Sequence, residues 1–274
     1  VAKFLNHNKE PAVRRAIKAF LAVLLILFQP LVQAENRAIS SLGRIEPHNG
    51  IIRVAAPSGG MGAGSVIKSL LVKVGDWVEQ DQIIAYLDSY NLRQTEVARL
   101  TAINVNAESE LARQKNLALT FANSKVNLDQ AIMALDVAKA DLAAAKARLE
   151  LSIVRAPLRA QVLEIHAEPG EIVGPEGIVD LGQTDRMYVV AEVYETDISF
   201  VKKGQGAIIR APAIEGELSG TVERVSLKVS RLDVLGDDPV SRTDARVVEV
   251  YILLDDSAAV ANYTNMQVEL EITI

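Results

Sequence analysis

The sequence predicts a mainly β protein whose strands are interrupted by a long α-helical hairpin. Three observations carry that expectation. A short motif occurs twice: Val54-Ala55-Ala56-Pro57 with Val74-Gly75-Asp76-Trp77-Val78, then Val154-Arg155-Ala156-Pro157 with Pro169-Gly170-Glu171-Ile172-Val173. Between the copies, from Ser89 to Ser152, apolar residues step by three and four, the period of a helix. After the second copy, β-forming runs alternate with glycine-bearing turns to the end of the 274 residues.

The N-terminal segment, 1–34, reads as a secretory signal. Lys3, Lys9, Arg14, Arg15 and Lys18 precede the apolar run Ala19 to Phe28, and Val32-Gln33-Ala34 offers small residues for cleavage. The run is short for a bilayer span, which takes ~20 residues. The alternative is an uncleaved anchor from Ala16 to Val32, with its basic flank held on the cytoplasmic side. Both readings place the residues after about Glu35 outside the cytoplasm.

The segment 35–88 holds N-terminal strands and the first half of a β-unit. Ile51 to Ala55 is a strand candidate ended by Pro57, and Ser58 to Ser65 a glycine-rich connection. Val66 to Val72 is β-rich, Val74-Gly75-Asp76 a tight turn, and Gln82 to Leu87 closes the half. The segment 153–185 repeats this order: Ala160 to His166 alternates, Pro169-Gly170-Glu171 turns and Ile178 to Leu181 closes. Neither half can bury a sheet face alone, so the two are expected to share one core.

Within the hairpin, 89–152, the second helix carries Leu128, Ala131, Leu135, Ala138, Leu142, Ala145 and Leu149 along one seam. Its partner stripe is Val97, Leu100, Asn104, Ala107, Leu111, Gln114 and Ala118, weakened by two polar members. Helices of ~30 residues project ~45 Å, and Asn123-Ser124 marks the turn. The last segment, 186–274, has β-rich runs at Met187–Val193, Gly206–Ala211, Leu218–Val225, Arg246–Leu254 and Met266–Ile274. Such spacing is that of a small antiparallel barrel. Ser230 to Arg246 reads as a loop.

Composition and motifs argue against most chemistry. A net charge of −6 speaks against a general nucleic-acid binder, and aromatics at 4% leave no stacking platform. The absence of cysteine excludes disulfides, thiolate zinc sites and a thiol nucleophile. Gly59-x4-Gly64 has phosphate-loop spacing, but Ser65 and Val66 stand where lysine and a hydroxyl are needed. His7, His48 and His166 share no ligand spacing, and His166 reads as a surface imidazole at a strand end. Asp237-Asp238 and Asp255-Asp256 read as turn-solvating pairs. No catalytic residue, cofactor site or metal site is assigned.

Val-Gly-Asp-x-Val followed by Gln-x-Ile-x-x-x-Leu-Asp resembles the biotinyl/lipoyl carrier fold. Carriers place a modified lysine just after this segment, where Leu87-Asp88-Ser89-Tyr90-Asn91 has none. That argues against a swinging-arm carrier and against an enzyme subunit built on one. A split lipoyl-like sandwich with a coiled-coil hairpin in the break, then a β-barrel, resembles the HlyD-type membrane fusion proteins, the periplasmic adaptors of Gram-negative exporters. Met187 to Ile198 and Asp244 to Val250 resemble the DevB-like branch, which works with ABC transporters, although the hairpin is shorter than that branch implies.

The resemblance implies a non-enzymatic, cofactor-free adaptor between an inner-membrane transporter, of ABC permease/ATPase type, and a TolC-like outer-membrane channel. It also implies a homo-oligomeric ring, commonly a hexamer. Family members that dock on such channels carry Arg-x3-Leu-x6-Ser/Thr at the hairpin tip, matched here by Arg113, Leu117 and Ser124. Read without the family, the same residues are a solvated arginine, a seam leucine and a helix N-cap. The alternatives are an adaptor for another efflux class, or a coiled-coil scaffold without export duty.

Overall fold

The computed structural model describes residues 37–57, 64–118, 125–231 and 246–274. The expected signal or anchor segment, most of the glycine-rich connection and Ser124 lie outside the described residues. Among the described residues no helix is long and apolar enough to cross a membrane.

Among the described residues, eleven strands and two long helices follow in chain order. The first half-unit supplies β1 (Ala38–Val54), β2 (Ile67–Leu70), β3 (Trp77–Val78) and β4 (Ile83–Leu87). The helices are α1 (Tyr90–Ala118) and α2 (Lys125–Glu150). Then come β5 (Ile153–Arg155), β6 (Ala160–Ile165), β7 (Val179–Tyr194), β8 (Gly206–Arg210), β9 (Leu218–Arg231), β10 (Arg246–Leu254) and β11 (Gln267–Thr273). The architecture is therefore mainly β with two helices. Between Tyr194 and β8 the only helical element is the short 3-10 turn Ile198–Phe200.

The two copies of the motif hold each other reciprocally. The Gly75 amide donates to the Val162 carbonyl at 2.8 Å, and the Gly170 amide donates to the Ile67 carbonyl at 2.7 Å. In return, the Val162 amide donates to Asp76 and the Ile67 amide to Glu171. Each turn is closed by its own carboxylate: Asp76 accepts from the Lys73 amide and Glu171 from the Glu168 amide. Gly75 and Gly170 both sit at positive φ, 91° and 97°, where a side chain is strained. Trp77 pairs with Gln161 and Ile172 with Val66, so one register is written twice. The shared core follows: Val54, Ile67, Val78, Ile84 and Leu87 from one half pack with Val154, Val162, Ile178 and Leu181 from the other.

A second core is enclosed by strands of the larger sheet. Pairings run β1-β11-β8-β9-β10-β7, and β7 also pairs with β1, so six strands form a closed circuit of neighbours. Ile45, Val189, Ile209, Val250, Ile252, Leu270 and Ile272 fill it. Alternation along β10 and β11 puts one residue in two inward. At Gly43 close packing explains the residue: a Cβ there would lie 2.8 Å from the Val190 carbonyl oxygen.

β1 and β7 serve both cores. Ile45 and Met187 belong to the circuit, Val54 and Val179 to the paired halves. The register between them breaks where Pro47 faces Met187 and His48 faces Gln183, leaving Thr184, Asp185 and Arg186 as a bulge on β7. Several strand limits differ from the sequence reading, and β7 joins the expected runs Ile178–Leu181 and Met187–Val193 in one strand. β1 begins at Ala38, thirteen residues before the expected strand, because Ser40, Gly43 and His48 hide an alternation that tertiary pairing with β11 and β7 supplies. β9 extends to Arg231, past the expected end at Val225, held by Val229 against Val248 and Arg231 against Arg246.

Candidate functional site

The hairpin is rooted where it leaves the paired halves. The Leu87 amide donates to the Ser152 carbonyl, and the Ser152 hydroxyl donates to the Leu149 carbonyl at 2.6 Å, closing the last turn of α2. The Tyr86 and Tyr90 rings meet at 4.4 Å beside the entry to α1. From this root α1 runs 29 residues, about 44 Å at 1.5 Å per residue.

The seam lies where the leucine–alanine period puts it. Ala131, Leu135, Ala138 and Ala145 are buried, and Leu128, Leu142 and Leu149 are half-buried. On α1, Leu100 is buried while Val97, Asn104, Ala107, Leu111 and Gln114 are half-buried. The two polar members have an unmet need: Asn104 Oδ1 and Gln114 Oε1 are buried without a hydrogen bond. Their amide nitrogens reach sideways to Glu108 and Glu110 instead.

Arg113 and Leu117 sit in the final turns of α1, one turn apart and therefore on one face. Both are off the seam. The Arg113 side chain is 67% exposed, and Leu117 is 45% exposed. Leu117 is thus not seam packing, as its spacing alone would allow. Arg113 donates through Nε to Glu110 at 3.0 Å, with a second, closer bond through Nη2. The bond from Gln114 and the bonds from Arg113 hold the Glu110 carboxyl below its usual range. An exposed pair of this kind contributes little in water, so Arg113 is released to a partner at little cost. Ser124, the third residue, lies outside the described residues, one position before α2.

Two further clusters arise from strand pairing. Near the bulge, Tyr188 donates to Glu223 and accepts from Arg186 Nη2 at 2.9 Å, with His48 stacked on its ring at 5.4 Å. Burial and then the bond to Glu223 push the Tyr188 phenol up to about 12. It stays protonated at neutral pH and acts as a hydrogen-bond donor, not a nucleophile. The second cluster is Glu164, His166 and Asp180, whose ligand-type atoms all lie within 4.8 Å of one another. His166 is not a surface imidazole: its side chain is only 10% exposed, covered by Asp180 and Glu176. Sequence reading missed this because Asp180 enters only through the register that sets it directly across from Glu164. The Asp255-Asp256 pair does cap turns, accepting from Ser219 and from the Ala258 and Ala259 amides. Asp237-Asp238 lies outside the described residues.

The fold is that of a known class. A MacA–MexA chimeric protein, containing the Pseudomonas aeruginosa MexA α-hairpin domain, matches 87% of this chain and 82% of its own, with TM-score 0.68 and 19% identity. The membrane fusion protein Spr0693 from Streptococcus pneumoniae R6 matches 86% of this chain and 98% of its own, with TM-score 0.62 and 17% identity. In sequence, the chain is similar to the macrolide export protein MacA of Escherichia coli O157:H7, 28% identical over 172 residues, 52% of this chain and 46% of MacA. The chain spans about half the length of the curated relatives it matches. No family model matches it. In fold the chain is similar to membrane fusion proteins, and in sequence to an export protein of that kind.

Proposed function

We propose that this chain is the periplasmic adaptor subunit of a Gram-negative export system, linking an inner-membrane transporter of ABC type to a TolC-like outer-membrane channel. The observation that carries the docking role is the pairing of Arg113 and Leu117 on one exposed face at the far end of α1. A guanidinium held, among the described residues, by a surface carboxylate, beside an exposed leucine, offers a directed charge and an apolar contact together. Ser124, one residue before α2, completes the motif. The similarity to a macrolide export protein supports the export role. In this reading the chain is not an enzyme; it transmits and connects, and the transporter supplies the energy.

The domain plan follows the same reading. Residues 35–88 and 153–185 form a split lipoyl-like sandwich, supported by the reciprocal turns at Gly75 and Gly170 and the shared core. Residues 186–274 form a small barrel with the start of β1, supported by the closed circuit of six strands. Residues 1–34 deliver or anchor the chain. A ring of copies, hexameric in the family, is supported by a second apolar stripe on α2, displaced two positions from the seam. Val126, Met133, Val137 and Leu151 on it are 65%, 64%, 56% and 39% exposed, with Ala140, Ala144 and Ala147 between them. The DevB-like branch rests on Met187–Ile198 and Asp244–Val250.

The test is capture of a TolC-like channel by purified adaptor, together with export in cells. Arg113→Ala and Ser124→Ala are expected to weaken capture about tenfold each, with unchanged circular dichroism. Unchanged capture and unchanged export in both variants would overturn the tip assignment. Loss of transporter binding with capture intact would separate the two ends of the adaptor.

A further inference from the structure

We propose that Glu164, His166 and Asp180 form a binding site for a divalent transition metal, Zn²⁺ by the nature of its donors. The convergence is a direct product of strand geometry. Glu164 is the penultimate residue of β6 and His166 lies two residues later, so both side chains leave the same face. Asp180 on β7 is the register partner of Glu164, and the His166 amide donates to Ile178 next to it. One imidazole nitrogen and two carboxylates are a donor set that suits Zn²⁺.

The atoms are arranged as ligands rather than as a finished hydrogen bond. His166 Nε2 lies 3.1 Å from Asp180 Oδ2, yet it is buried and makes no hydrogen bond. A separation of that size between two donors matches one edge of a tetrahedral site with bonds of about 2.0–2.1 Å. A buried acceptor left unmet is unfavourable; a cation shared with Oδ2 meets that need.

The surroundings are consistent with a cation. Glu164 and Asp180 face each other directly across two strands, which is unfavourable for like charges without something between them. Arg53 Nε reaches only the other oxygen of Asp180, Oδ1, at 3.4 Å, and leaves Oδ2 to the site. Glu176 faces Nδ1 of His166 at 3.8 Å, on the side away from Asp180. A carboxylate there favours the tautomer with its proton on Nδ1, which frees Nε2 for a metal. The competing arrangement is a proton in place of the metal, giving an imidazolium between Asp180 and Glu176.

The experiment uses the full purified chain, stripped with a chelator and dialysed against Zn²⁺ at pH 7.5, with bound metal measured by mass spectrometry. The expected result is one saturable Zn²⁺ per chain and a higher Tm than the stripped protein. His166→Ala abolishes that binding. Glu164→Gln, at an exposed position that leaves the core untouched, weakens it at least tenfold with the same circular dichroism. His166 ring resonances, followed by NMR, shift on Zn²⁺ addition. No saturable binding by the wild type overturns the proposal, as does binding that survives in both variants. A His166 that only titrates with pH, without responding to Zn²⁺, means that the proton is the sole occupant and also overturns it.

Discussion

At the scale of single residues, Tyr188 shows how far an ordinary side chain is shaped by its neighbours. Its phenol is buried among β-strand residues and bonded to Glu223, and both effects favour the neutral form. With a folded pKa of about 12 against an ordinary value of about 10, its stabilisation is fully present below pH ~10. It falls as pH rises from ~10 to ~12, where the unfolded phenol ionises first, and is lost above the folded value. A titration at 295 nm is expected to show a late phase near pH 12 that Tyr188→Phe removes. If Tyr188→Phe leaves that phase unchanged, the assignment to this ring is wrong. Neither Tyr188 nor His166 could be read in this way from the sequence. Their properties come from Glu223, Asp180 and Glu176, which pairing and turns bring to them across 10 to 35 residues. The shared helix face of Arg113 and Leu117 was legible because their spacing is local to one helix.

At the scale of elements, the hairpin was the most legible part of the chain. The expected seam from Val97 to Gln114 on α1 and from Leu128 to Leu149 on α2 is buried or half-buried, because helical period is a local property that no partner needs to supply. The second stripe on α2 escaped notice, since Ala140, Ala144 and Ala147 suit any exposed helix face by propensity alone. Its exposed members Met133 and Val137 are one turn apart and leave the seam untouched. In the adaptor reading this stripe meets a neighbouring copy. Met133→Glu with Val137→Glu is expected to preserve helix content and to weaken self-association about tenfold, roughly 1.4 kcal/mol. Sedimentation velocity over a concentration series reads the effect. An unchanged distribution of oligomers would assign the stripe to another partner. The strands were less legible in proportion to how much they rely on pairing: β10 matched its apolar run, while β1 needed β7 and β11 to define it.

At the scale of the whole molecule, the hairpin is an insertion into a body that closes without it. The reciprocal turns at Gly75 and Gly170 bond strand to strand, and among the described residues none of α1 or α2 enters either apolar core. The chain leaves and re-enters through β4 and β5, an antiparallel pair with Tyr86 facing Ile153. Beyond it the Leu87 amide already reaches the Ser152 carbonyl. Ends that close together need only a two-residue turn. Replacing 89–151 by Asn-Gly is therefore expected to give a folded β protein. Its far-ultraviolet spectrum loses the helical signal of α1 and α2. Its unfolding remains cooperative, within about 1 kcal/mol of the intact body's transition, since the lost helical contacts lie outside both cores. The Glu164–His166–Asp180 cluster keeps its geometry, while channel capture falls to background. If the excised protein instead unfolds, the hairpin is part of what holds the paired halves together. If it folds and still captures the channel, the docking surface lies on the body and not at Arg113 and Leu117.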